Sequence, residues 1–163
     1  MRNIFSIFFS VIILSACAQK DFDATVNSYL NYTVDTISTN HLVHILDSVK
    51  LVDARSTNEY STSKIEGAQF IDYDNPDFKN LTLDKNDKIV VYCTIGYRSE
   101  KIAEKLKKKG YKNVYNLYGG ILQWVNDSNS VCAPNGMNTN FVHTYDESWG
   151  KWMTNTNFQK VYN

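Results

Sequence analysis

The chain has 163 residues, 43% hydrophobic and 13% aromatic with 21% charged, enough apolar material for one folded domain rather than a disordered chain. Seventeen basic residues offset seventeen acidic ones, so no long-range positive field gathers nucleic acid or anionic lipid. Three cysteines, Cys17, Cys93 and Cys132, exclude a disulfide scaffold and a four-cysteine zinc site. The three histidines have no ligand spacing to one another or to a carboxylate, so no metal is expected.

Met1-Arg2 precedes an apolar run from Ile4 to Leu14 that ends in the small residues Ser15 and Ala16, the pattern of a signal peptide. The run is shorter than a spanning helix needs, and polar Gln19, Lys20 and Asp21 follow at once. Leu14-Ser-Ala-Cys17 resembles the lipobox of bacterial lipoproteins, which implies a leader over 1–16 and lipidation of Cys17. The expected location is the bacterial cell envelope, with the lipid as sole membrane contact. Ala18 after the cysteine leans toward the outer membrane and a periplasm-facing domain. Residues 17–31, small and polar over 24–31, read as a tether to a domain spanning 32–126.

Within that domain, Leu42, Val43, Ile45 and Leu46 fall at helical spacing behind Ser38 or Thr39 as cap. Lys50-Leu-Val-Asp53 and Ala68-Gln-Phe-Ile71 read as short strands, with a turn or short helix around Thr57 to Tyr60. Lys88-Ile-Val-Val-Tyr92 is almost wholly apolar, as in a central strand covered on both faces. Ser99 to Lys109 reads as an amphipathic helix with Ile102, Ala103 and Leu106 inward, an i,i+4 pair Glu104–Lys108 and Gly110 as its stop. Asn113-Val-Tyr-Asn-Leu117 completes a right-handed parallel strand–helix–strand unit. Gly119-Gly120 then turns into a helix through Ile121, Leu122 and Trp124. The aromatic residues of 127–163 predict an extension that packs on the domain.

Cys93-Thr-Ile-Gly-Tyr-Arg98 joins the central strand to the amphipathic helix, outside the carboxyl end of the sheet, where open α/β folds place ligands. A loop curling into a helix N-terminus aims several N–H groups at one point, and Gly96 permits the curvature. A thiolate held there gains roughly 0.3–2 kcal/mol from the helix end. Cys93 therefore reads as a nucleophile rather than as a small core residue. Cys132 reads as a bystander, with pairing to Cys93 left open.

Three pieces of this sequence resemble the rhodanese-like sulfurtransferases over residues 32–126: Leu51-Val-Asp-Ala-Arg55 with Glu59-Tyr60; Ile65-Glu-Gly-Ala68; and Ile89 to Arg98 with Tyr118 to Trp124 downstream. The resemblance implies an α/β fold, a parallel five-stranded sheet flanked by helices on both faces, here with a C-terminal extension. It implies a cysteine that takes a sulfane sulfur from a donor and passes it on as a persulfide, without a cofactor. By position Cys93 is that nucleophile, and Thr94, Ile95, Gly96, Tyr97 and Arg98 form the substrate loop, with Arg98 on the sulfonate of a donor such as thiosulfate. The implied partners are a small sulfur-containing anion as donor and a thiol, protein or cyanide as acceptor. Asp53, Arg55 and Glu59 fall at structural positions, with an Arg55–Glu59 ion pair expected. Lys64 departs from the histidine common in the family, and the tail after Asp127 is longer than in minimal members. Phosphatases of related fold carry their arginine six positions after the cysteine; here it is five, a loop sized for sulfur. The competing reading is a non-catalytic binding or persulfide-delivery module.

Overall fold

The computed structural model describes residues 19–162; the expected leader and the lipidation site Cys17 lie outside them. Five strands form the main sheet: β1 (Thr36–Ile37), β2 (Lys50–Asp53), β3 (Gln69–Phe70), β4 (Lys88–Tyr92) and β5 (Asn113–Leu117). Their order is β1-β5-β4-β2-β3, and every pairing is parallel. Strand β4 lies at the centre, in register with β2 through Asp53–Tyr92 and with β5 through Ile89–Val114. Side chains alternate across a strand, so its apolar run divides between two cores. Val90 and Tyr92 face one; Ile89 and Val91 face the other.

Ile102, Ala103 and Leu106 of helix α4 (Tyr97–Lys108) close the Ile89/Val91 face. Glu104 pairs with Lys101 at 2.8 Å and accepts from Thr33, rather than meeting the expected Lys108. The opposite face is covered by Leu42 of α2 (Thr39–Ile45) and by Ile121, Leu122, Trp124 and Val125 of α5 (Gly120–Asn126). Ser38 caps α2 by accepting the His41 N–H. Helix α3 (Thr57–Thr62) starts with a capping box in which Ser56 and Glu59 satisfy each other's backbone N–H.

Over the described residues, the expected tether is not one. Residues 19–29 form a helix, α1, and Phe22, Val26 and Leu30, spaced by four, are buried against the α5 side of the sheet. That apolar stripe overrides the polar composition between its members. Glu100 of α4 fastens the following turn, accepting the N–H groups of Asn31 and Thr33 at 3.0 and 2.9 Å.

After α5 the chain adds a hairpin of β6 (Val131–Cys132) and β7 (Asn138–Thr139), then β8 (Phe141–His143), α6 (Glu147–Gly150) and β9 (Gln159–Val161), with β8 and β9 parallel. Val131, Val142 and Met153 are buried in the same core as α1 and α5. Cys132 exchanges two backbone hydrogen bonds with Lys64, at 2.8 and 2.9 Å, and this joins the extension to the main domain.

Candidate active site

Cys93 follows β4 directly, and Gly96 is the N-cap of α4 with φ +120°, a conformation that favours glycine. The loop between them folds back on the thiol, so that the Gly96 N–H points at the Cys93 Sγ from 3.2 Å. Gly96 is fastened from behind: its carbonyl accepts from Ser99 Oγ and Asn116 Nδ2, each at 3.0 Å, and these two side chains bond each other at 2.7 Å. All three groups are buried, so the cradle is rigidly held.

A second clamp comes from α5, whose N–H groups of Ile121 and Leu122 reach the carbonyls of Cys93 and Thr94 at 2.9 and 3.2 Å. The approach requires glycine at position 120. With φ +54°, an added Cβ would lie 2.6 Å from the Thr94 oxygen and closer still to that of Cys93. Gly119-Gly120 thus seats the loop as well as turning the chain, a role the sequence reading missed.

The acidic and basic residues pair differently from expectation. Arg55 turns back onto Asp53, with Nε and Nη2 at 2.9 and 2.7 Å from its two oxygens, both side chains fully buried. Glu59 instead takes Arg98: Nη1 donates to Oε2 at 2.8 Å and Nη2 to Oε1 at 2.7 Å. Arg55 lies two positions after Asp53, which fixes that pair locally and leaves the Glu59 carboxylate to the loop. Thr94 completes the unit, donating its hydroxyl to Glu59 at 2.8 Å and accepting from Arg98 at 2.7 Å. Burial pushes the Glu59 carboxyl up, but the hydrogen bonds and charge of Arg98, the charge of Arg55 and the Ser56 N–H outweigh it and hold it at about 2. Burial likewise works against the Arg98 cation, and Glu59 together with the Cys93 charge more than restores it. The guanidinium expected to meet a donor sulfonate is thus already bonded to a carboxylate.

Above the thiol lies a cavity of about 250 Å³. Cys93, Thr94 and Ile95 form its floor, and Tyr97 and Arg98 of the first α4 turn stand at one side. Tyr29, Tyr73, Tyr145 and Trp149 complete the wall. Burial, then the neighbouring Tyr97 and Asp74, raise the Tyr73 hydroxyl, so it stays a neutral donor. Of the expected loop residues, Thr94, Ile95, Tyr97 and Arg98 line the cavity, while Gly96 contributes its N–H to the sulfur. Cys132, also a free thiol, lies on β6 outside this lining. Among the described residues no three His, Cys, Asp or Glu side chains cluster as metal ligands.

A parallel sheet with a cysteine loop between central strand and helix is a geometry that known proteins share, and the profile of the rhodanese-like domain matches residues 38–127. The chain belongs to the rhodanese-like family. A rhodanese-related protein of Thermoplasma volcanium superposes with a TM-score of 0.55 at 24% identity, over 60% of this chain and 97% of its own. A rhodanese-like domain protein of Staphylococcus aureus, 31% identical, gives 0.50 over 55% and 90%. Among curated relatives, a tRNA uridine(34) hydroxylase of Erwinia tasmaniensis is 31% identical over 150 residues, 86% of this chain and 40% of that protein. A putative sulfur carrier protein, YrkF of Bacillus subtilis, is 33% identical over 78 residues, 48% of this chain and 42% of its own. The chain therefore spans less than half the length of these curated relatives.

Proposed function

We propose that this rhodanese-like protein is a sulfurtransferase that carries a sulfane sulfur on Cys93. The observation that carries the reading is the thiol itself: it stands at the floor of a cavity, at the N-terminus of a twelve-residue helix, with the Gly96 N–H on its sulfur. The Cys93 thiolate attacks the outer sulfur of a donor; with thiosulfate the Sγ–S bond forms, the donor S–S bond breaks, and sulfite leaves with the electron pair. The helix end and the inward N–H then stabilise the anionic persulfide until an acceptor removes the sulfur. The balance of seventeen charges of each sign favours a small acceptor or a protein thiol over nucleic acid, although the Erwinia relative is named for a tRNA. The lipobox-like Leu14-Ser-Ala-Cys17 supports a lipid-anchored envelope protein, with outer-membrane, periplasm-facing residence as the favoured site. Phe22 is buried in the domain core, so an anchor at Cys17 would hold the domain within five residues, at most about 18 Å, of the bilayer.

Mass spectrometry of the reduced full chain after thiosulfate treatment tests the reading. The native protein gains one sulfur atom, mapped to Cys93, and Cys93→Ser gains none there. A free but unloaded Cys93 would support the non-catalytic binding module instead.

A further inference from the structure

The rings that wall the Cys93 cavity come largely from outside the family-matched segment. Tyr29 belongs to α1, before residue 38, and Tyr145 and Trp149 belong to the extension, after residue 127. They are placed, not scattered. Tyr29 meets Tyr97 edge-on at 6.3 Å and Trp149 at 5.2 Å, with interplanar angles of 75° and 68°. Trp149 is tied by its backbone N–H to Asp146 Oδ1 at 3.0 Å. Tyr145 has φ +73°, a left-handed conformation that a bulky side chain adopts at a cost, and its N–H donates to His143 Nδ1 at 3.1 Å. The result of that backbone is a ring over the Arg98 guanidinium, 5.1 Å from centroid to carbon.

Charge in the cavity points the same way. Among the described residues that line it, Arg98 is the one cationic side chain, and both of its Nη atoms are bonded to Glu59 while Tyr145 covers it. A small acceptor fills little of about 250 Å³. A ring-bearing molecule whose sulfur reaches the floor fills the rest between tyrosines and tryptophan.

We propose that the site takes a low-molecular-weight thiol with an aromatic body as acceptor of the Cys93 sulfur, and that Tyr29, Tyr145 and Trp149 set this preference. It rests on Cys93 as the persulfide carrier. The acceptor thiol attacks the outer sulfur of the anionic Cys93 persulfide; the new S–S bond forms as the Sγ–S bond breaks, and its electron pair stays on Sγ. The products are the Cys93 thiolate and the acceptor persulfide, the acceptor's own proton having moved to the transferred sulfur.

The test uses full-length protein, loaded with sulfur, desalted and mixed with phenylmethanethiol, cyclohexylmethanethiol, 2-mercaptoethanesulfonate or cyanide. Loss of the bound sulfur is followed by mass. Phenylmethanethiol is expected to discharge the protein with a second-order constant at least about ten times that of the sulfonate thiol, and above its saturated counterpart. Tyr145→Ala and Tyr29→Ala each shrink that advantage about 2- to 10-fold through a higher half-saturating concentration, and Tyr145→Phe restores it. If cyanide discharges the native protein but the three thiols react alike, or Tyr145→Ala keeps the full preference, the proposal fails and the sulfur-carrying function stands. If Cys93 never takes up sulfur, both fall.

Discussion

Replacing Glu59 with glutamine separates the charge of this residue from its shape. Its side chain is fully buried, and Arg98, Thr94 and Ser56 all place donors on its two oxygens, so an amide NH₂ would face donors wherever it turned. Removing one partner of a buried pair costs about 3–5 kcal/mol. The carboxyl leads to a similar figure: a shift from the ordinary 4.5 to about 2 corresponds to roughly 3 kcal/mol at neutral pH, at about 1.36 kcal/mol per unit. The folded value is depressed, so this stabilisation is complete above 4.5 and is lost as pH falls through about 2. By pH 3 it has more than halved, to about 1.4 kcal/mol. Equilibrium urea unfolding of native protein and Glu59→Gln should therefore show a difference of roughly 3 kcal/mol at pH 7 that contracts by pH 3. A difference of equal size at both values would mean that packing, not the Arg98 charge, holds this residue.

Gly120→Ala puts a methyl group into the carbonyls of Cys93 and Thr94 at a φ of +54°. A stability loss of about 1–3 kcal/mol is expected in thermal or urea unfolding, with sulfur loading of Cys93 reduced beyond what the residual fold accounts for. Phe22→Ala, in the segment whose composition suggests a tether, should cost about 3–5 kcal/mol in urea unfolding because Phe22 is 2% exposed; a true tether would show no change. Burial raises the Cys132 thiol, so at neutral pH iodoacetamide should label it far more slowly than an unfolded control, read by peptide mapping.

The central part of this fold was legible because its signals are local and strong. Four residues from Ile89 to Tyr92 with no polar interruption leave little choice but a strand buried on both faces, and a cysteine loop ending in an amphipathic stretch places a helix N-terminus over the thiol. Strand β1 escaped because two residues carry no period. Helix α1 escaped for a different reason: Phe22, Val26 and Leu30 do recur at helical spacing, but Ala24, Thr25, Asn27 and Ser28 between them dominate the composition. The partner of Arg55 could not be chosen from spacing, since Asp53 at two residues and Glu59 at four are both within reach; the geometry selects Asp53 and gives Glu59 to Arg98, which is 39 positions away.

The distribution of the site along the chain separates the cradle of Cys93 from the rings above it. Everything that holds the sulfur, from the Cys93 loop and its Ser99–Asn116 clamp to Gly120 and the Glu59–Arg98 pair, lies within the family-matched residues 38–127. Much of what rises above the sulfur does not, because α1 and α6 bring Tyr29 and Trp149 to the rim from the two ends of the chain. These ends are bound to the same core, through Phe22 against Trp152 at 5.8 Å and Tyr29 against Trp149. A loss of either segment should therefore loosen the other as well as open the cavity. Fold does not determine substrate, and here the rings that would choose it under the proposed reaction lie outside the family-matched residues.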